Sequence, residues 1–173
     1  MNETKHKNII DGLYQQTFRK EWWFTLNEDN RIRMKVVRWT HAETDDDGNV
    51  ILDKLNEWER YKRDPFTWNY YLVINKKDLL EPKKVAPRRV RDPERKWMRW
   101  DYSKSAFNSF DGWNGGITFG ECSGDIITLG CDYAHSWDTD SCYSLKHVLY
   151  DARNSAMQAL PFMKPNETKQ TQQ

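Results

Sequence analysis

Residues 68–75, WNYYLVIN, constrain the fold more than any other stretch of the chain. The run is aromatic and β-branched almost throughout, a composition suited to a pleated, packed surface. Its centre is apolar on both faces, which places it inside a sheet with partners on either side. The segments around it should therefore supply further strands.

Trp22-Trp23-Phe24-Thr25-Leu26 reads as extended, 27–30 is rich in turn formers, and Arg31 to Trp39 alternates. Ile32, Met34 and Val36 share one face while Arg31, Arg33 and Lys35 share the other, so the pair forms a hairpin with one buried and one basic, solvated face. Upstream, Ile10, Leu13, Tyr14, Thr17 and Phe18 approximate helical spacing and predict a short helix over 8–19. The acidic turn at 42–50 lacks the Asp-x-Asp-x-Asp-Gly spacing of a calcium loop. Leu52, Leu55 and Trp58 predict another short helix, ended at Asp64-Pro65. Near the C-terminus, Leu145, Val148, Leu149, Ala152, Ala156 and Leu160 recur at helical spacing. Thr139, Asp140 and Ser141 are candidate N-caps, and Pro161 is the stop.

These elements predict one α+β domain over 1–163, with a mostly antiparallel sheet of about five strands. The C-terminal helix packs on one face, and 164–173 forms a disordered polar tail. The start of the chain lacks the apolar run of a secretory signal, and no stretch has the length of a membrane span. That leads to the expectation of a cytoplasmic protein whose cysteines are thiols.

The formal net charge is +1, which removes any global electrostatic case for binding nucleic acid. Locally the balance differs. Between Lys76 and Arg99 the chain is crowded with cations, including Arg88, Arg89 and Arg91, and punctuated by Pro82, Pro87 and Pro93. The prolines exclude a continuous helix and predict a long extended connection, of the kind that serves as a lid or binding loop. Its arginines can grip phosphates in bidentate fashion, and Trp97 and Trp100 can stack on bases.

Residues 111–138 carry the densest chemistry. Gly112, Gly115 and Gly116 flank Trp113 and Asn114 ahead of Ile117-Thr118-Phe119, and such a turn lets a ligand approach main-chain N–H groups. Ile117–Phe119 and 125–130 (DIITLG) predict an antiparallel hairpin joined by a turn at 120–124. Cys131 to Asp138 then forms the junction with the final helix, where side chains and free helix N–H groups converge. His135 has a carboxylate on each side in sequence, Asp132 and Asp138, and either would orient the imidazole as a base or as a ligand-binding group. Cys122, Cys131, His135, Cys142 and His147 are the right types for zinc but lack the Cys-x-x-Cys spacing, so no metal or other cofactor is assigned.

Asn114-Gly115-Gly116-Ile117-Thr118-Phe119, with Leu129-Gly130-Cys131-Asp132-Tyr133-Ala134-His135 and Asp138, resembles a signature of small tailed-phage accessory proteins. That signature reads His-Gly-Gly-aliphatic-Thr-aromatic, then aromatic-Gly-Phe-Asp-Cys-Ala-His, then an aspartate. The likeness covers roughly the last hundred residues, a length within a single ordinary domain. Asn114 replaces the signature's first histidine and Tyr133 its cysteine, which argues against a His/Cys metal or nucleophile role there. The resemblance implies a protein that counters host defence by sequestering a nucleotide-derived signal in the host cytoplasm. The ligand site would comprise Trp113, Asn114, Gly115, Gly116, Thr118, Asp132, His135 and Asp138, with Arg88, Arg89 or Arg91 reaching its phosphates. The alternatives are a hydrolase or phosphodiesterase using His135 with Asp132 or Asp138, and an inhibitor that binds a host defence protein. Self-association into a homo-oligomer is also expected.

Overall fold

The computed structural model describes residues 18–165 apart from 27–28, 56, 58–59, 61–64, 136–137 and 139–142. Strands β1 (Phe18–Thr25), β2 (Ile32–Thr40), β3 (Thr67–Asn75), β6 (Phe119–Ser123) and β7 (Ile126–Asp132) form a five-stranded antiparallel sheet in the order β1-β2-β3-β7-β6. Strands β4 (Arg88–Arg91) and β5 (Met98–Asp101) pair separately as a two-stranded ribbon. A one-turn helix α1 (Pro82–Val85) precedes the ribbon, and α2 (Leu145–Ala159) packs on the large sheet.

β3 lies at the centre, as its composition demands. Met34 pairs with Leu72 and Leu72 with Leu129, while Val36 pairs with Tyr70 and Tyr70 with Cys131. Period-2 alternation therefore gathers these residues, with Ile32, Ile74 and Ile127, on one face of the sheet, and all of them are buried. Helix α2 covers this face with Val148, Ala152, Ser155, Ala156 and Ala159. Four of those side chains are alanine or serine, small enough to let the helix lie close against the strands.

Tyr70 ties the layers together. Its hydroxyl donates to the Gly112 carbonyl at 2.7 Å and lies 2.7 Å from Ser155 Oγ. Its ring stacks on Trp113 with 5.0 Å between centroids. A Cβ at Gly112 would fall 2.3 Å from Ser155 Oγ and 2.5 Å from the Asp151 carbonyl, so the loop passes the helix only as glycine.

The second face of the sheet carries Arg19, Glu21 and Trp23 from β1, Arg33 and Lys35 from β2, and Tyr71 and Val73 from β3. Thr128, Gly130 and Asp132 from β7 and Phe119 and Glu121 from β6 complete it. The described elements leave it open: the side chains of Trp23 and Phe119 are 49% and 39% exposed. The basic face read from the alternation of β2 is thus real, and aromatic residues from neighbouring strands join it.

Several local expectations change. Phe18 and Arg19 begin β1 instead of ending a helix, because they pair with Thr40 and Trp39 in continuous register; the remainder of 8–17 lies outside the described residues. In the 42–50 turn, the Asp45 carboxylate accepts the Asp47 and Asn49 N–H groups, so it shapes the backbone. Leu52–Lys54 forms a 3-10 turn and the expected helix is seen only after it, at Glu57 and Arg60, while Trp58 lies outside the described residues. The proline-punctuated segment is folded, not simply extended. Pro82 occupies the first turn of α1, where its missing N–H costs nothing, Pro87 leads into β4 and Pro93 sits in the ribbon's turn.

Strand β6 starts at Phe119 and runs through the residues expected to turn. The reversal is confined to Gly124 and Asp125, with Gly124 at φ 56°. The α2 N-cap is Ser144, whose hydroxyl accepts the His147 N–H at 3.2 Å. Thr139, Asp140 and Ser141 lie outside the described residues. Pro161 sits in the 3-10 turn Leu160–Phe162 that ends the helix.

Candidate functional site

The residues predicted to form one site are distributed over four places. Asn114, His135 and Asp138 meet at the junction of β7 and α2. Thr118 and Asp132 form a latch beside them, Trp113 is in the core, and Arg88, Arg89 and Arg91 lie on the ribbon.

Asp138 organises the junction. Its nearly buried carboxylate accepts the His135 N–H at 2.8 Å and contacts His135 Nδ1 at 3.2 Å. It also accepts Asn114 Nδ2 at 3.2 Å and the Tyr143 hydroxyl at 2.6 Å. Asn114 Nδ2 lies 3.2 Å from the Asp132 carbonyl as well, which draws the glycine turn against the end of β7. The carboxylate paired with His135 is therefore Asp138. The Asp132 side chain instead accepts the Ala134 N–H at 3.1 Å, and the Asp132 N–H donates to Thr118 Oγ1 at 3.1 Å.

The glycine turn has the geometry expected of it. Gly115 and Gly116 have φ of 72° and 102°, in the region that favours glycine. Among the described residues neither of their N–H groups has a hydrogen-bond partner. Trp113, by contrast, is held in place: its ring is buried and its indole N–H donates to the Phe107 carbonyl at 2.7 Å.

The corner holds an oriented histidine–carboxylate pair, yet the cysteine nearest in sequence is no nucleophile. Cys131 is completely buried, and that burial pushes its thiol up to about 12, so it is neutral near pH 7. Tyr133, which stands where the phage signature has cysteine, packs edge-on against Tyr143 and donates to Asp151 Oδ2 at 2.6 Å. Burial and this bond raise its hydroxyl well above the usual tyrosine range. His147 Nε2 approaches the same Asp151 oxygen at 3.4 Å. Among the described residues no three His, Cys, Asp or Glu side chains converge as a metal site, and Cys142 lies outside them.

A groove also lies on the open face of the sheet, whose β2 side chains the alternation assigns to a solvated surface. This groove of about 340 Å³ is lined by Arg19, Trp23, Lys35, Tyr71, Phe119 and Glu121, among others. Tyr71 forms its floor, with the Phe119 ring edge-on at 5.4 Å. Gly130 makes this possible: a Cβ there would lie 2.3 Å from Tyr71 Cδ1. Burial pushes the Tyr71 hydroxyl up to about 12, with Arg19 opposing and Asp132 reinforcing the shift.

Lys35 Nζ stands 5.4 Å from the Trp23 ring and 3.0 Å from Glu21, and Arg19 holds the same Glu21 carboxylate at 2.6 Å. Burial works against the Glu21 charge, but the Arg19 and Lys35 hydrogen bonds outweigh it and hold the carboxyl below its usual range. The Arg33 guanidinium stands 5.3 Å from the Trp23 ring, outside the groove lining. The signal for this groove was present in the sequence, in the basic alternation of β2 facing Trp23. It could not be seen without knowing that β6 brings Phe119 to the same face.

Taken together, the fold and the groove define an antiparallel sheet with a helix packed on one face and, among the described residues, an open second face that is aromatic and carries charges of both signs. Comparison with protein-family models, curated proteins and solved structures finds no match. Among the described residues no helix is long and apolar enough to cross a membrane.

Proposed function

We propose that the protein binds a small, polar, nucleotide-like ligand on the open face of its sheet. The observation that carries this reading is the groove itself, with the exposed rings of Trp23 and Phe119 beside the Tyr71 floor and with Arg19 and Lys35 along its wall. Aromatic faces stack on any planar base, and a guanidinium or ammonium group at the rim receives phosphate. Arg19 and Lys35 share Glu21 in the free protein. An anionic ligand therefore competes with that carboxylate, and its binding weakens as salt rises. The likeness to tailed-phage accessory proteins supports a setting in which such binding sequesters a host-defence signal.

Isothermal titration of the purified protein with cyclic nucleotides, cyclic dinucleotides and cyclic ADP-ribose forms tests this. At least one should bind with micromolar affinity or better, and Trp23→Ala should weaken it about tenfold, the value of one lost stacking contact. Absence of binding across the panel contradicts the reading.

A hydrolytic reading has one observation in its favour, the contact of His135 Nδ1 with buried Asp138. It requires that incubation convert the ligand to a new species and that His135→Ala abolish the conversion. Sequestration requires that the ligand be recovered intact after heat denaturation of the protein.

A further inference from the structure

We infer that the β4–β5 ribbon is a contact surface for single-stranded nucleic acid, separate from the groove. The ribbon is strongly cationic within a chain of formal net charge +1. Arg88, Arg89, Arg91, Arg95, Lys96 and Arg99 all lie on it and are exposed. Two carboxylates, Asp92 and Glu94, lie in its turn, and Asp101 ends β5. Asp92 is engaged internally: it accepts the Glu94 and Arg95 N–H groups at 3.0 and 2.8 Å and pairs with Arg99 at 3.5 Å.

The pairing register fixes which side chains share a face. Arg89 lies opposite Trp100 and Arg91 opposite Met98. The Arg89 guanidinium stands 5.0 Å from the Trp100 ring, and that of Arg95 5.9 Å from the Trp97 ring. Trp97 and Met98 are 57% and 48% exposed, although an indole and a thioether would ordinarily be buried. One side of the ribbon thus sets Arg89 and Arg91 beside Trp100 and the exposed Met98, and at the turn end Arg95 stands by the exposed Trp97 ring. Guanidinium groups that hold phosphate therefore lie next to surface on which bases stack.

An isolated two-stranded ribbon is marginal in water, and this one is pinned at its base. Just before β4, the Val85 carbonyl accepts the Ser105 hydroxyl at 2.8 Å; just after β5, the Tyr102 hydroxyl donates to the Thr118 carbonyl at 2.8 Å. At the far end the Asp92 turn is closed by Lys96 at φ 60°. The arm is therefore held out from the core with its shape set in advance, which lowers the ordering cost of binding. Its side chains play no part in the core of the large sheet, so they can be changed without unfolding the protein.

Fluorescence anisotropy with a labelled oligo-dT and an oligo-U tests the assignment, at low and at physiological salt. The expected result is binding that weakens steeply with salt. Arg89→Ala/Arg91→Ala should lower both the affinity and the salt slope, and Trp97→Ala should weaken binding about tenfold with the slope unchanged. Circular dichroism of each variant should match the parent. The assignment is overturned if neither oligonucleotide binds at low salt, or if the variants bind as the parent does. It is equally overturned if a duplex or polyglutamate binds as tightly as the single strands, since the surface would then recognise negative charge alone.

Discussion

At the scale of single residues, the junction between β7 and α2 depends on Asp138. Its carboxylate is the shared acceptor for donors from Asn114, His135 and Tyr143. Removing it leaves those donors without their partner in a largely dry place. Asp138→Ala should cost about 3 kcal/mol and Tyr143→Phe about 1 kcal/mol, read from urea denaturation with an unchanged m-value. The glycines separate steric from conformational need. Gly112→Ala drives a Cβ into the backbone and side chain of α2 and should cost about 2 kcal/mol or more. At Gly116 nothing stands within 4 Å of a built Cβ, so the alanine variant bears only the φ of 102°, worth about 1 kcal/mol. The sequence singled out Asn114, His135 and Asp138 correctly as neighbours. It did not distinguish Asp132 from Asp138 as the histidine's partner, because both flank it at similar distance along the chain. Nor did it point to Tyr143, whose role depends on how the chain returns to α2.

At the scale of elements, legibility followed periodicity. β3 and the β1–β2 hairpin were readable because alternation and composition agree, and α2 because its apolar positions recur at helical spacing. The ribbon was not. Its strands are short, carry arginine at almost every β4 position and bury little, so neither alternation nor hydrophobicity announces them. The groove shows a different limit. Its residues come from β1, β2, β3, β6 and β7, and their union on one face follows from strand order, which local patterning does not encode. Gly130 was visible only as a glycine near a strand end. A Cβ there also falls 2.6 Å from the Tyr70 carbonyl, so its alanine variant should tilt Tyr71 and strain the β3–β7 pairing, lowering both ligand affinity and stability, which titration calorimetry and urea denaturation together detect.

At the scale of the whole molecule, burial holds ionisable groups in their neutral forms, in the core at Cys131 and beneath the open face at Tyr71. Cys131 is raised from an ordinary 9 to about 12 and Tyr71 from 10 to about 12, both chiefly by burial. Tyr70 and Tyr133 shift in the same direction. A raised folded-state value means that the unfolded chain releases these protons first. The stability they contribute is therefore fully present below about pH 9 and is lost as pH climbs from there toward 12. Urea midpoints should stay level from neutral pH to about 9 and then fall steeply, and Cys131→Ala should soften that fall. Native Cys131 should also resist thiol reagents until the protein unfolds.

The proposed ligand site is the open sheet face, and amide chemical-shift mapping addresses that directly. Isotope-labelled protein would be titrated with the same cyclic nucleotide and cyclic ADP-ribose panel. The predicted result is saturable shifts in the amides of Trp23, Lys35, Tyr71 and Phe119 and in the Trp23 indole, with the junction around Asp138 little changed. Shifts centred on Asn114, His135 and Asp138 with a silent open face, or no shifts from any compound, would contradict it.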